Sequence, residues 1–366
     1  TAGSMVTEIQ GTVLGSSGSV LEMLGKVPGM MAKGDELEVL GKGSPVIYIN
    51  GRKLHDLNEL KQMRSEEVQS VEVINNPGAQ YDASVSSVVR IKTIRRGGEG
   101  FGFDLNAANN QDIQNGVSDP SATMNLRYRF RDLDLFGSVN YWKWDQISIY
   151  YDYAKMYTGG DSYILEDCVA NDHFYSSGLD YNMGFNWQLS QNHSVGARIV
   201  RRTTIDAGTY YSSTTDIIRY DESSGQVSSV NESFQDEKRH SPYDWEGNVY
   251  YSGMVGRLGI NFNADYLSNR KDMMCSISDV IDAEEYMERF QEGVTTSRLA
   301  AAKRVLTYPV WKGQLEAGTE ATSVERGSSY SITNYPLPAS DSEVDENNVS
   351  AFVSYGFSLP KFGSVS

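Results

Sequence analysis

No apolar run of about 18 residues occurs in the 366-residue chain, so no transmembrane helix can be read from it. Cysteine is nearly absent. Cys168 and Cys275 are too few for a disulfide framework, although pairing is chemically permitted outside the cytoplasm. Histidine is scarce too: His55, His173, His193 and His240 are scattered, and none has metal-ligand spacing. A nucleophile elbow, a phosphate loop and a dinucleotide fingerprint are all missing. The stretch Gly97-Gly98-Glu99-Gly100 lacks the lysine and following helix of a phosphate cradle, and reads as a hinge. These absences leave no catalytic residue, resident metal or cofactor to predict, and the expectation is a non-enzyme. Basic clusters are lacking as well. With 32 Lys and Arg against 48 Asp and Glu, the net charge of −16 argues against a nucleic-acid partner.

What is abundant is Tyr, at 23 residues, and Gly, at 34. Together they favour long strands joined by turns over helix bundles. A hydropathy average would read such a chain as water-soluble. Strands of a membrane barrel alternate, however, and average to the same polar composition.

Residues 1–96 mix helix and strand. Ser19-Val20-Leu21-Glu22 is a capping-box pattern, with Ser19 as N-cap of a short helix that Pro28-Gly29 stops. Val46-Ile47-Tyr48-Ile49 predicts a strand running into the tight turn Asn50-Gly51. Leu57, Leu60 and Met63 are spaced for one face of a second helix. Val68 to Ile74 predicts a strand that ends at Asn75-Asn76-Pro77-Gly78. In this order these segments resemble the plug of TonB-dependent outer-membrane receptors. So does Val71-Glu72-Val73-Ile74-Asn75-Asn76-Pro77-Gly78-Ala79-Gln80-Tyr81-Asp82, with the strand Val88 to Thr93 behind it. The resemblance singles out Pro28, Gly29, Asn50, Gly51, Glu72, Asn76, Pro77, Gly78 and Tyr81 as the plug motif, structural or gating in role. Two departures stand out. Ser84 to Ile91 replaces the glycines and the Ile-Asn-Ile run usual in the family, and no TonB-engaging segment is recognisable before Met5.

From Phe101 onward the period is two. Leu179, Tyr181, Met183, Phe185, Trp187 and Leu189 alternate with Asp180, Asn182, Gly184, Asn186 and Gln188. Leu258, Ile260, Phe262, Ala264 and Tyr266 alternate with Gly259, Asn261, Asn263 and Asp265. In strands the two sets lie on opposite faces, one suited to lipid and one to water. Short turns at Arg131-Asp132, Ser190 to His193, Gly256-Arg257, Pro309 to Lys312 and Pro360 to Gly363 interleave with longer polar stretches. The longer ones cover 109–120, 158–172, 219–228, 275–293 and 334–346. Strict alternation of tight turns and long loops is what a membrane barrel predicts. The count gives about ten strands, with an eleventh starting at Ser364. Plugged barrels of this kind close with about 22, and ten strands leave no room for a plug.

The expected fold is therefore a transmembrane antiparallel β-barrel of about 22 strands, with 10–11 present here and a small N-terminal α+β plug. Residues 1–96 form the plug domain and residues 97–366 the N-terminal half of the barrel, left incomplete. The resemblance implies a Gram-negative outer-membrane location, the plug toward the periplasm and the long loops outside. It implies TonB as partner, outer-membrane lipid as surroundings, and import of an iron chelate, glycan, peptide or vitamin. A surface lipoprotein lid fits the architecture, though no residue points to one. In such receptors plug arginines pair with wall carboxylates, which nominates Arg90, Arg95 and Arg96 with Glu316 and Glu320 as a latch. The ligand-binding residues are not legible. Acidic groups at Asp279, Asp282, Glu284, Glu285 and Glu288, and at Asp341, Glu343, Asp345 and Glu346, read as solvated loops ahead of a cation site. Trp142, Trp144, Trp187 and Trp245 are expected in interfacial girdles or stacked inside the lumen. The alternatives are a surface barrel for adhesion or docking and a soluble all-β binding protein.

Overall fold

The computed structural model describes residues 4–365 apart from 34–35, 51, 55–56, 58–59, 61–62, 76, 78–80, 82–84, 95–98, 191, 284 and 360–362. An N-terminal unit comes first. Its strands are β1 (Ser4–Glu8), β2 (Met30–Lys33), β3 (Glu36–Val39), β4 (Val46–Ile49), β5 (Arg52–Lys53), β6 (Val68–Ile74) and β7 (Val88–Thr93). A short α-helix, α1 (Val20–Leu24), packs with them. The sheet order is β1-β6-β7-β4-β5, with β4 and β7 parallel and β2-β3 a separate hairpin.

Local chemistry explains these elements. The Ser19 side chain accepts the Glu22 amide at 3.2 Å, which satisfies one orphan donor of α1. Ser19→Ala should cost about 1 kcal/mol, read as faster hydrogen exchange of the α1 amides in the full-length protein. Unchanged exchange would remove the cap from the account. Asn50 has φ 51°, and β5 folds back on β4 with Ile49 opposite Arg52, as an Asn-Gly turn requires. Val71 and Val73 of β6 face Ile91 and Val89 of β7, and all four are buried. They join Val20, Met23, Leu24, Ile47 and Leu60 in a hydrophobic core confined to the N-terminal unit. Each fully buried side chain of this size contributes roughly 1.5–3 kcal/mol. The expected second helix falls largely on residues outside the described set, yet Leu60 and Met63 reach this core and Leu57 packs at its edge.

Eleven antiparallel strands follow, each paired with the next. They are β8 (Gly100–Gln111), β9 (Ser118–Phe130), β10 (Leu133–Gly159), β11 (Ser162–Ser190), β12 (His193–Asp221) and β13 (Gly225–Val255). The run continues with β14 (Leu258–Ile281), β15 (Glu285–Val310), β16 (Gly313–Ile332), β17 (Ser340–Leu359) and β18 (Gly363–Val365). The sheet is open, with β8 and β18 as its edges, so these strands do not close a barrel. The tight turns stand where the alternation put them, at 131–132, 256–257 and 311–312.

Of the five long loops, those at 109–120 and 334–346 persist in shortened form, at 112–117 and 333–339, and the other three do not. Where 158–172, 219–228 and 275–293 were read as loops, the strands continue, up to 31 residues in β13, and the connections shrink to 160–161, 222–224 and 282–284. Polar Ser, Thr and Tyr positions resemble loop in composition, but a paired strand satisfies the backbone equally well in water. Both cysteines, expected in or near loops, are strand residues with free thiols.

Polarity across the sheet is inverted relative to a water-soluble fold. In β9, Met124, Leu126, Tyr128 and Phe130 are exposed, while Asn125, Arg127 and Arg129 between them are partly covered. In β11, Tyr181, Met183 and Trp187 are exposed and Asn182 and Asn186 are shielded. In β12 and β13, Ile199 and Val249 are exposed while Arg198 and Asn248 are 6% and 4% exposed. The covered face is the one turned to the N-terminal unit, because Arg127 on it pairs with Glu67 of that unit. It is called inward below. Small residues let the wall pack closely: a Cβ at Gly184 would meet the Phe136 ring at 2.5 Å, and one at Gly196 the Tyr250 ring at 2.3 Å.

Candidate binding wall and its contact with the N-terminal unit

The inward face carries a polar lattice built from facing strands. Arg198 Nε donates to Asn182 Oδ1 at 2.9 Å, and its Nη1 lies 3.5 Å from Glu246. Arg202 reaches Glu246 at 2.8 Å and Asp244 at 3.4 Å. Asn248 donates to Asp265 at 2.6 Å, and Lys303 meets Glu320 at 2.8 Å. These groups sit in one layer because the register aligns Asn182, Val200, Glu246 and Leu267 across β11 to β14.

The N-terminal unit rests against this layer. Arg127 is shared between Asp134 on the wall (2.7 Å) and Glu67 on the unit (3.2 Å), and β5 lies against β13. On the unit's near side Arg90 donates to the Tyr81 hydroxyl at 2.7 and 3.1 Å and pairs with Glu72 at 3.5 Å. Tyr48 stands edge-on to Tyr81 at 5.9 Å. Burial pushes the Tyr48 and Tyr81 phenols above their ordinary range, and carboxylates of the wall add to it, Glu320 and Asp265 at Tyr48 and Glu316 at Tyr81.

A pH dependence follows. A phenol whose folded pKa is raised holds its proton more tightly in the folded state, so its contribution is complete below about pH 10 and lost as pH climbs through the raised value. Phenolate absorbance should show these two tyrosines ionising after the exposed ones. Phe substitutions at 48 and 81 should reduce that late phase by two tyrosines, and a late phase of unchanged amplitude would contradict the assignment.

Of the residues singled out in the sequence, Glu72, Tyr81 and Arg90 come together. Pro28 and Gly29 form the turn after α1, with Gly29 at φ 84°, and Asn50 instead bonds Thr93 at 2.7 and 3.0 Å. Pro77 lies between residues outside the described set. Gly51, Asn76, Gly78, Arg95 and Arg96 themselves lie outside it. Glu316 and Glu320 do face inward, where Glu320 pairs with Lys303 and Arg90 keeps Glu72. Sequence reasoning missed Glu67, Arg127 and Arg198. Alternation marks Arg127 as inward-facing, but nothing local reveals the carboxylate sixty residues away.

Beyond the N-terminal unit the inward face turns aromatic. Trp144 stands edge-on to Phe174 at 5.2 Å, Arg239 lies 5.5 Å over Phe174 and is ion-paired with Glu237, and Trp142 covers Gly178. Farther along, Ser213, Thr215, Asn231, Ser233 and Asp279 line a cavity of about 260 Å³. The Asn231 carbonyl oxygen is covered there without a hydrogen-bond partner. The wall thus offers ring faces, hydroxyls and carboxylates to a ligand entering from that end. The acidic group expected near residue 280 is split by register: Asp279 faces inward and pairs with Arg289, whereas Glu288 is on the opposite face.

No family model matches the chain, and no curated protein matches it. Among solved structures it is similar to the ferric yersiniabactin uptake receptor of Yersinia pestis, with 13% identity and a TM-score of 0.38 over 98% of this chain and 62% of that one. The siderophore receptor PiuA of Acinetobacter baumannii gives 12% and 0.37 over 99% and 63%, and the copper transporter OprC 12% and 0.36 over 99% and 61%. The chain spans about three fifths of the length of these proteins, and what it is similar to are two receptors and a transporter.

Proposed function

We propose that the chain is the N-terminal part of a TonB-dependent outer-membrane receptor that imports a nutrient. Residues 1–96 act as the plug, and residues 97–366 supply about half of a barrel of about 22 strands. The observation that carries this reading is the inverted polarity of the eleven-stranded sheet: Met183, Ile199 and Val249 point outward into the surroundings, and Arg198 and Asn248 are covered. In water that arrangement would be costly on both faces. In a bilayer it is the stable one, since lipid replaces water outside and every strand must find a neighbour. The open edges at β8 and β18 are then the seams at which the rest of the barrel pairs.

Transport needs a gate. The N-terminal unit has its own core and meets the wall through ionic and polar contacts such as Glu67–Arg127, so it can shift without unfolding the barrel. The Glu72–Arg90–Tyr81 cluster beside Glu316 and Glu320 is the place where a plug-to-wall latch would act. TonB would supply the pull from the periplasm. The nutrient would first bind the aromatic and hydroxyl-lined end of the inward wall.

Planar-bilayer conductance of the full-length protein tests the gate. Intact protein should be nearly silent, and removal of residues 1–96 should open large, stable pores. Equal conductance with and without these residues would refute a plug. Recovery of the protein folded in water without detergent would refute the membrane reading itself.

A further inference from the structure

β10 stands taller than its neighbour β9, and part of its backbone has no partner strand on that side. β9 pairs with β10 only from Leu133 to Trp142, and the rest of β10, to Gly159, pairs on the β11 side alone. Parity shows which groups are free. The tight-turn pair Phe130–Leu133 puts the N–H and C=O of odd-numbered β10 residues on the β9 side. The Asp145 amide continues that row by donating to Asp119 Oδ1 at 2.7 Å, and the ladder ends there. Beyond it the N–H and C=O of Ile147, Ile149, Tyr151, Tyr153, Lys155 and Tyr157 point to an open side. Among the described residues no strand pairs with them there. Comparable steps on β13 (225–230) and β15 (285–290) are much shorter. Ile147 lies 14 residues along β10 from its tight-turn end at Leu133, and about 9–11 strand residues cross a bilayer, so the open edge stands outside it.

Native edges are usually blunted by proline, lysine or a bulge. Between Ile147 and Tyr157 there is no proline, and the register against β11 is unbroken. The one lysine, Lys155, is held over the Tyr163 and Tyr157 rings at 4.1 and 5.0 Å. Ile147, Ile149, Tyr150, Tyr151 and Tyr153 are instead strong strand formers. Tyr151 and Tyr153 are 78% and 64% exposed on the outward face, and on the inward face the same strand carries Trp144 against Phe174. The edge is thus continuous with the aromatic end of the inward wall. Carboxylates prevail beside it: Asp152 on β10, and Glu166 and Asp167 opposite Ala154 and Tyr153 on β11. Free backbone groups discriminate among nutrients. Donors and acceptors repeating at strand spacing are matched by another extended polypeptide, whereas a glycan or an iron chelate carries no such repeat.

We infer that the Ile147–Tyr157 edge of β10 captures a basic oligopeptide as an added β-strand. The span is roughly 35 Å at about 3.4 Å per residue, room for a peptide of about ten residues. Alternate side chains of the peptide lie beside Tyr151 and Tyr153 on one face and toward Trp144 and the lumen on the other. Peptides are then the nutrient class. This rests on the import reading, but the two fail separately. A protein whose conductance responds to loss of residues 1–96, yet whose edge ignores peptide, loses the edge alone. One that takes the peptide but conducts equally with and without those residues loses the import reading, and the nutrient class with it.

Hydrogen exchange of the full-length protein in detergent, resolved to single residues, decides it, with an alternating Lys-Val decapeptide as the probe. The expected result is that saturating peptide slows the Ile149, Tyr151 and Tyr153 amides about tenfold or more. The even-numbered amides between them, already paired to β11, should not change. An alternating Glu-Val decapeptide, a Lys-Val decapeptide methylated on every backbone nitrogen, and maltodextrin should leave all of them as in the free protein. Tyr151→Pro deletes a donor on the open side and spares the β11 ladder, and should weaken the protection about tenfold. No slowing by the Lys-Val peptide, or equal slowing by any of the three controls, would overturn the site. Slow exchange of the odd-numbered amides before peptide is added would mean that another polypeptide, the protein's own or a partner's, already holds the edge, and would overturn the peptide assignment. Heat-modifiable gel mobility verifies that the variant has folded. Should Tyr151→Pro not fold, the wild-type protein with the Lys-Val peptide and its methylated form gives the same decision, since only the former can donate to a strand.

Discussion

Met183→Arg should cost about 2–4 kcal/mol in the folding of the full-length protein into lipid vesicles, with Met183→Leu close to neutral. Met183 is 60% exposed on β11, between Tyr181 and Trp187 on the outward face. In a water-soluble sheet a residue this open would accept arginine within about half a kcal/mol and gain solubility. In a bilayer the same change places a guanidinium inside the hydrocarbon band, seven residues along β11 from its tight-turn end at Ser190. The sign and size of one substitution thus separate the two environments. Denaturant titration in vesicles measures it. A cost below about 0.5 kcal/mol would mean that Met183 faces water, and the membrane reading would fall with it.

Arg198→Ala is expected to cost about 3 kcal/mol in the same assay, from the opposite face and for the opposite reason. The Arg198 side chain is 5% exposed, holds Asn182 at 2.9 Å, and stands 3.5 Å from Glu246, itself 18% exposed. Removing it leaves a partly buried carboxylate with less compensation, although Arg202 still reaches Glu246 at 2.8 Å. That remaining partner keeps the figure at the low end of what breaking a buried pair costs. A second change, Glu246→Gln, removes the charge that was stranded and should recover about 1 kcal/mol or more. Additive costs in the double variant would show that the two residues are not coupled, and that the inward lattice is not one network.

Much of the architecture was legible because its determinants are local. Period-two patterning from Phe101 onward, the Ser19 cap, the Asn50 turn and the tight turns at 131–132, 256–257 and 311–312 each depend on a few adjacent residues. The pairing of Tyr81 and Glu72 with Arg90 follows from two neighbouring strands, β6 and β7, and was half visible in the motif that contains the first two. The lengths of the strands were not visible. Ser- and Thr-rich ends read as loop because side-chain polarity was the signal, whereas continued pairing with a neighbour was the cause.

Two bulges mark the limit most clearly. Register shifts at Ile205 in β12 and between His240 and Tyr243 in β13 each add one residue to one strand only. Below them Arg198, Arg202, Glu246 and Asn248, all even-numbered, face inward. Above them the odd-numbered Ala207 and Glu237 do so, and both are buried. No periodicity carried along the chain anticipates that change, since it is set by what the adjacent strands pair with.

By itself, the sequence determined that this chain would form long alternating strands with one apolar and one polar face, behind a small unit with its own core. Backbone geometry and side-chain alternation act within a few residues and need no partner. Tertiary structure alone decided which polar groups meet: Glu67 with Arg127, Arg198 with Asn182 and Glu246, and Arg201 with the Trp245 ring. Those contacts join residues far apart in sequence, and register and bulges fix them only once the sheet has formed.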